Sequence, residues 1–334
     1  VSTRTERHAV SRSMHRRTFL TATAALAATV AAPQAHAAAG PRISVAFTLP
    51  GDRAYPEGIA LDPRTGDVYV GSYTNGAVYR AARGERAAEV FLPPGADGRV
   101  TANGLKADRH GRLWVIDSTA GVDVYDLRDR SLLARFAVPG DAPRFVNDLA
   151  LGPDGTAYLT DSTRAVIYRV TAAEVSRGVR GTMTPAYDLS GVRDPQQPDA
   201  FTLNGIVADS GGRRLFTVDM TGGGLYRVDV ATGAVAQVAL TGGDLRAGDG
   251  LELAHGTLWA AQNSANTISR WRLSPDGLSA RLERRFSDPA LQIPTTLVRD
   301  RGRLLVVRSQ FDKGGPMGPG VPETPFTVAR VDGI

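Results

Sequence analysis

From residue 43 onward the chain runs in short apolar stretches with polar breaks, and few stretches carry a helical period. Ile59-Ala60-Leu61-Asp62 leads into Pro63-Arg64-Thr65-Gly66, and a second apolar run around Tyr69 follows. The same order returns with Trp114, Tyr158, Phe216 and Trp259 at the centre of the second run. Short alternating runs separated by Gly, Pro, Asp and Asn predict an antiparallel all-β protein. One phrase sets the period: a polar residue, a small residue, then an aliphatic one. It reads Glu57-Gly58-Ile59, Asn103-Gly104-Leu105, Asn147-Asp148-Leu149, Asn204-Gly205-Ile206, Asp249-Gly250-Leu251 and Thr295-Thr296-Leu297, at intervals of 46, 44, 57, 45 and 46 residues. Six units of this length predict a six-bladed β-propeller with four-stranded antiparallel blades.

The last unit, Ile293 to Val331, supplies three strands, and Ile43–Leu49 precedes the first phrase as a strand without a unit. The N-terminal strand is therefore predicted to complete the sixth blade and hide an edge. The aromatics of the second strands are predicted to pack between blades. Asp117, Asp161 and Asp219, three residues after Trp114, Tyr158 and Phe216, are read as bonding within or between blades. The long interval holds an insertion, Thr171 to Asp199, expected to overhang the ligand face. It offers the only helical turn, around Ala172 to Ser176. A second loop, Gly314 to Pro325, lies inside the last blade.

The first 37 residues read as a leader rather than as fold. Arg16-Arg17-Thr18-Phe19-Leu20, an apolar run to Ala32 and the small-x-small site Ala35-His36-Ala37 match a twin-arginine signal peptide. Export by the twin-arginine machinery, cleavage near Ala37 and a secreted or extracytoplasmic location are the expectations, with residues 38–334 as a single propeller domain. The run is too short to span a bilayer, so no membrane span is expected. The leader carries five arginines against Glu6, so the remainder holds only about +1 of the chain's +5. That balance, with Lys106 and Lys313 the only lysines, argues against a nucleic-acid partner. No cysteine is present, which excludes disulfides, a thiolate metal site and a cysteine nucleophile. His110 and His255 each precede a glycine in a turn and are read as solvated.

In a propeller the phrase positions converge on the axis. Glu57, Asn147, Asn204 and Asp249 then form a set of two carboxylates and two amides, all oxygen donors. Such a set suits one hard divalent cation, calcium first, with Zn, Mn or Mg as alternatives. Asn-Gly and Asp-Gly are also ordinary turn dipeptides. Glu57 resists that reading, because Glu is a poor turn residue.

Pro56-Glu57-Gly58, Asn147-Asp148, Leu203-Asn204-Gly205 and Gly248-Asp249-Gly250, in that order, resemble the SMP-30/gluconolactonase family, also called regucalcin-like. The resemblance covers nearly all of residues 43–334. It implies a six-bladed propeller, one divalent metal held by Glu57, Asn147, Asn204 and Asp249, and Asp249 as the base that activates water. It also implies a sugar-lactone contact from an Arg just before the third-blade Asn. Here Arg144 stands three residues before Asn147, one further than the family pattern. A substrate-contacting Glu of some members has no clear counterpart, and Asn103 is an additional amide. Arg144 and Asn103 are therefore the candidate substrate contacts. The function implied is a secreted metal-dependent hydrolase of lactones or esters. The alternative is a non-catalytic propeller that binds a ligand or partner. A lactonase of the paraoxonase kind needs a histidine base, for which His110 and His255 are misplaced.

Overall fold

The structure, a computed structural model, describes residues 40–178, 180–192, 197 and 200–334. The leader lies outside these residues, as do most of Asp194 to Asp199. The strands that begin with the recurring phrase, or just beside it, are Pro56–Leu61, Leu105–Ala107, Val146–Leu151, Leu203–Ala208, Gly248–Ala254 and Leu297–Asp300. Each pairs antiparallel with the next strand of its own repeat. Each also touches the corresponding strand of the next repeat, and the sixth returns to touch the first. Six inner strands thus close a ring, and the molecule is an all-β propeller.

The ring closes as expected from the termini. Arg42–Thr48 pairs antiparallel with Thr327–Asp332, giving the last sheet three strands from the C-terminal repeat and one from the N-terminus. The expectation of six separate four-stranded sheets needs correction. Among the described residues hydrogen bonding gives five sheets, because the outermost strands of the fourth and fifth repeats join into one sheet of eight strands. The seam is parallel, pairing Ala239, Leu240 and Thr241 with Ser279, Ala280 and Arg281. Outer edges of adjacent repeats carry unpaired backbone groups, and here two edges satisfy each other.

The insertion is also placed differently from expectation. It leaves the strand Val166–Val170 at the end remote from the phrase residues, because Val170 pairs with Ala157 while Val166 pairs with Asp161. A short helix, Ala172–Ser176, follows, started by a capping box in which Thr171 and Glu174 satisfy each other's backbone N–H groups. Arg180–Thr182 then adds a fifth strand, parallel to Arg135–Ala137, to the outer edge of the second repeat's sheet. The first half of the insertion therefore covers a sheet edge instead of overhanging the phrase residues.

The core lies between the sheets. Tyr69 is buried with Leu113 and Val115 of the next repeat, and Trp114 with Leu149, Leu159 and Tyr168. Phe216 packs with Leu251 and Leu258, and Trp259 with Leu297 and Leu304. The aspartates that follow bond locally. Asp117 accepts from Val100 N at 2.8 Å, Asp161 from Phe145 N at 3.1 Å, and Asp219 from Gly222 N at 2.9 Å.

Candidate metal centre

A β-bulge aims each candidate ligand. In four repeats the register slips so that two residues of the inner strand oppose one on its neighbour. The extra pairs are Glu57-Gly58, Asn147-Asp148, Asn204-Gly205 and Asp249-Gly250. A bulge turns a side chain out of the strand's alternation, here toward the ring axis. The small second residue matters equally. A Cβ at Gly58 would collide with the Asn103 carbonyl, and one at Gly205 with the Asp249 carbonyl, so glycine lets neighbouring strands close together. Hydrogen bonds tie the ring where they meet. Gly104 N donates to Asn147 O at 3.0 Å, Gly250 N to Thr295 O at 2.7 Å, and Thr295 Oγ1 to Glu57 O at 2.8 Å.

Glu57, Asn147, Asn204 and Asp249 all line one cavity on the axis, together with Asp148 and Thr296. Its volume is about 10 Å³, room for a single water-sized body. Asn147 Nδ2 is engaged away from it, donating to Ser162 Oγ at 3.0 Å, while Asn204 Nδ2 contacts Met220 Sδ at 3.3 Å and also lies near the Asp249 carboxyl. Their Oδ1 atoms are buried with no hydrogen-bond partner. Among the described residues no hydrogen bond satisfies the Glu57 carboxylate. An unpaired buried amide oxygen costs roughly 1–3 kcal/mol, and a cation held by the two of them beside the Glu57 carboxylate would remove that cost.

The electrostatics agree. Burial, then Asp249 and Asp148, push the Glu57 carboxyl well above its ordinary value, and only Lys106 pulls it back. Burial also raises Asp148, against Lys106 and the amides of Leu149 and Ile206. Burial raises Asp249 to about 8, opposed by hydrogen bonds from Asn263 and Asn204. Three buried carboxyls with only Lys106 acting against their repulsion are held above their ordinary values, and a divalent cation would relieve that. No group of three or more His, Cys, Asp or Glu side chains forms a metal-holding cluster among the described residues. The donor set is amide-rich and oxygen-only, which fits a hard cation and not a copper or zinc–thiolate centre.

The other candidates stand apart. Asn103 is buried with an unpaired Oδ1 but does not line the cavity. Arg144 is also outside the lining, and its guanidinium donates to Thr119 O and Gly140 O, each at 2.8 Å. His110 and His255 are exposed, and neither lines this cavity. Sequence reasoning missed three participants. Asp148 is the only phrase residue at its position that is neither Gly nor Thr, a departure visible in the sequence. Asn263 donates from Nδ2 to Asp249 Oδ2 at 2.7 Å, and Lys106 acts on Glu57 and Asp148 from the strand of the second repeat. Neither had a signal in the chain.

Left-handed backbone precedes the phrase in three repeats, at Tyr55, Ala247 and Ile293 (φ 58°), the last of these two residues ahead of Thr295. Tyr55 (φ 34°) and Ala247 (φ 56°) sit in the left-handed region two residues ahead of Glu57 and Asp249. Such a residue costs about 1–3 kcal/mol and persists only where its surroundings hold it. Tyr55 O accepts from Tyr73 N at 3.1 Å, and Ala247 O from Asn263 N at 2.8 Å.

The SMP-30/gluconolactonase/LRE-like family description matches residues 55–286. The chain belongs to this family. No curated protein sequence gives a significant match. Among solved structures, a gluconolactonase of Xanthomonas campestris is similar at 15% identity and TM-score 0.60, covering 87% of this chain and 89% of that one. The major allergen Mala s 1 of Malassezia sympodialis aligns at 16% identity and TM-score 0.64, over 84% and 94% of the two chains. A PQQ-bound aldose sugar dehydrogenase of Streptomyces coelicolor aligns at 14% identity and TM-score 0.58, over 87% and 98%. At these identities the likeness concerns the fold alone, so this member's chemistry must be argued from its own residues.

Proposed function

We propose that the protein is a divalent-metal-dependent hydrolase that opens lactones or related esters. The observation that carries this reading is the pair of unpaired amide oxygens, Asn147 Oδ1 and Asn204 Oδ1, facing one small cavity with Glu57 and Asp249. These four residues would hold the cation, calcium first, with Zn, Mn or Mg as alternatives. When bound there, it supplies the positive charge that polarises a substrate carbonyl oxygen. Asp249 is the base. Asn263 engages its Oδ2, which fixes the carboxylate plane and leaves Oδ1 to accept a proton from water. Burial, and then the Glu57 carboxylate, raise the phenol of Tyr73, whose ring meets Phe311 in a tilted contact at 5.3 Å.

Family membership supports a lactone or ester as the substrate class. The six inner strands support counting the eight-stranded sheet as two blades, hence six. The Arg16-Arg17 leader supports export by the twin-arginine route. Among the described residues no helix is long and apolar enough to cross a membrane.

A second reading, a non-catalytic binding propeller, is favoured by Arg144, whose guanidinium is engaged by backbone carbonyls rather than open to a sugar hydroxyl. One experiment divides the two. The purified protein is analysed for metal, and a panel of aldonolactones and aryl esters is assayed with and without EDTA. Hydrolysis abolished by EDTA and restored by the identified cation supports the hydrolase. A metal-loaded protein inert across the panel leaves the binding reading.

A further inference from the structure

The inner strands carry a second cavity beyond the first. Past the phrase, each strand buries an aliphatic residue in the core between two sheets: Ile59, Leu105, Leu149, Ile206, Leu251 and Leu297. Further along the inner strands lies a cavity of about 320 Å³ lined by residues of all six strands. This volume is at the lower end of small-molecule pockets, roughly 300–1,000 Å³. Its walls are Ala, Leu, Ile and Val except at three places, Lys106, Glu252 and Arg299.

Lys106 and Glu252 occupy the same position of the second and fifth inner strands, so they stand on opposite sides of the ring. Arg299 comes from the sixth strand, its guanidinium 4.7 Å over the Trp259 ring, which holds its plane. All three side chains are half-buried. Among the described residues no hydrogen bond or ion pair engages any of them, although Lys106 and Arg299 both act electrostatically on Glu252. Two cations and one acid converge on an apolar-walled space without pairing. Leaving such charges partly desolvated and unpaired is costly, and an occupant that pairs with them removes the cost.

We propose that this second axial cavity binds a small monocarboxylate with an apolar body, its carboxylate held by Lys106 and Arg299. The charge count selects the class. With Glu252 ionised, two cations and one acid leave one net positive charge, which a monoanion neutralises; with Glu252 protonated, its carboxyl becomes a donor to a carboxylate oxygen. The apolar walls take the remainder of the ligand. Burial raises Glu252 to about 7, against Lys106 and Arg299 and with Asp148, the charged groups that act on it. A bound anion raises it further, so binding takes up a proton and weakens as pH rises through neutrality.

The test is titration calorimetry of the full chain with butyrate, with butyramide and butylammonium as controls. Saturable butyrate binding is expected, with neither control binding. Arg299→Met and Lys106→Met should each weaken it about tenfold or more, the loss of one charge-assisted contact. Glu252→Gln keeps the fold and the binding but removes the proton uptake, seen as buffer-independent heats. Asp249→Asn should leave butyrate binding unchanged, which separates this site from the metal centre. No saturable binding at about 10 mM butyrate would overturn the proposal. So would binding lost in Asp249→Asn but retained in Arg299→Met with an unchanged circular dichroism spectrum.

Discussion

The two ends of the same six inner strands are built on opposite principles. At one end the repeats present Glu57, Asn147, Asn204 and Asp249 around about 10 Å³, every donor an oxygen. At the other they present Lys106, Glu252 and Arg299 around about 320 Å³, with apolar walls between them. The first space admits an ion and the second a small organic molecule. Lys106 lines the second cavity and also acts on Glu57 and Asp148 at the first. In a ring of near-equivalent strands, chemistry comes from where individual repeats depart from the pattern.

The comparison can be broken most directly at Asp249. Asp249→Asn should lower lactone hydrolysis by about 10²–10⁴-fold, the usual contribution of a positioned base, in steady-state assays of a protein with an unchanged circular dichroism spectrum. Normal turnover would remove Asp249 as the base. Deleting residues 38–50 removes the strand Arg42–Thr48 and opens the edge of the last sheet. Both ends of the ring depend on that closure, so thermal melting should show a large fall in Tm or aggregation. An unchanged Tm would show the ring does not need this strand.

Glu57→Gln should weaken calcium binding about tenfold or more in calorimetry while leaving butyrate binding intact. Equal calcium affinity would take Glu57 out of the site. Gly205→Ala drives a Cβ against the Asp249 carbonyl, so urea unfolding should show a loss of about 1–3 kcal/mol, with calcium binding weakened. Full stability would mean the strands can part without cost.

A further effect is in pH. Asp249 is raised to about 8, so below the unfolded carboxyl value of about 3.9 neither state loses a proton. Between these values the folded state binds more protons than the unfolded one, and stability falls as pH rises. The metal-free protein should therefore melt lower at pH 8 than at pH 5. Saturating calcium should flatten that slope, and a slope unchanged by calcium would separate the acids from the ion.

Much of this was legible in the chain. The phrase repeats because each inner strand needs a small residue where its neighbour approaches, so the six strands, the closing N-terminal strand and the four acid and amide positions that share one cavity could be read from the chain. Asp148 was visible as a departure from Gly but its burial beside Glu57 was not. The eight-stranded sheet was not legible either. Its parallel seam joins residues 239–241 to 279–281, two outer edges brought together by neither period nor turn. The insertion misled for a related reason: its starting point on the strand, at Val170, decides which end of the ring it serves.

The amino-acid sequence by itself determined the all-β repeat, the order of acid and amide along it, and the family, because these are local patterns of side chain and turn. Only the tertiary structure decided which groups face one another. It left Asn147 Oδ1 and Asn204 Oδ1 without partners, set Asn263 on Asp249, and placed Lys106 opposite Glu252. These are relations across a closed ring, between residues far apart in the chain, and no local propensity encodes them.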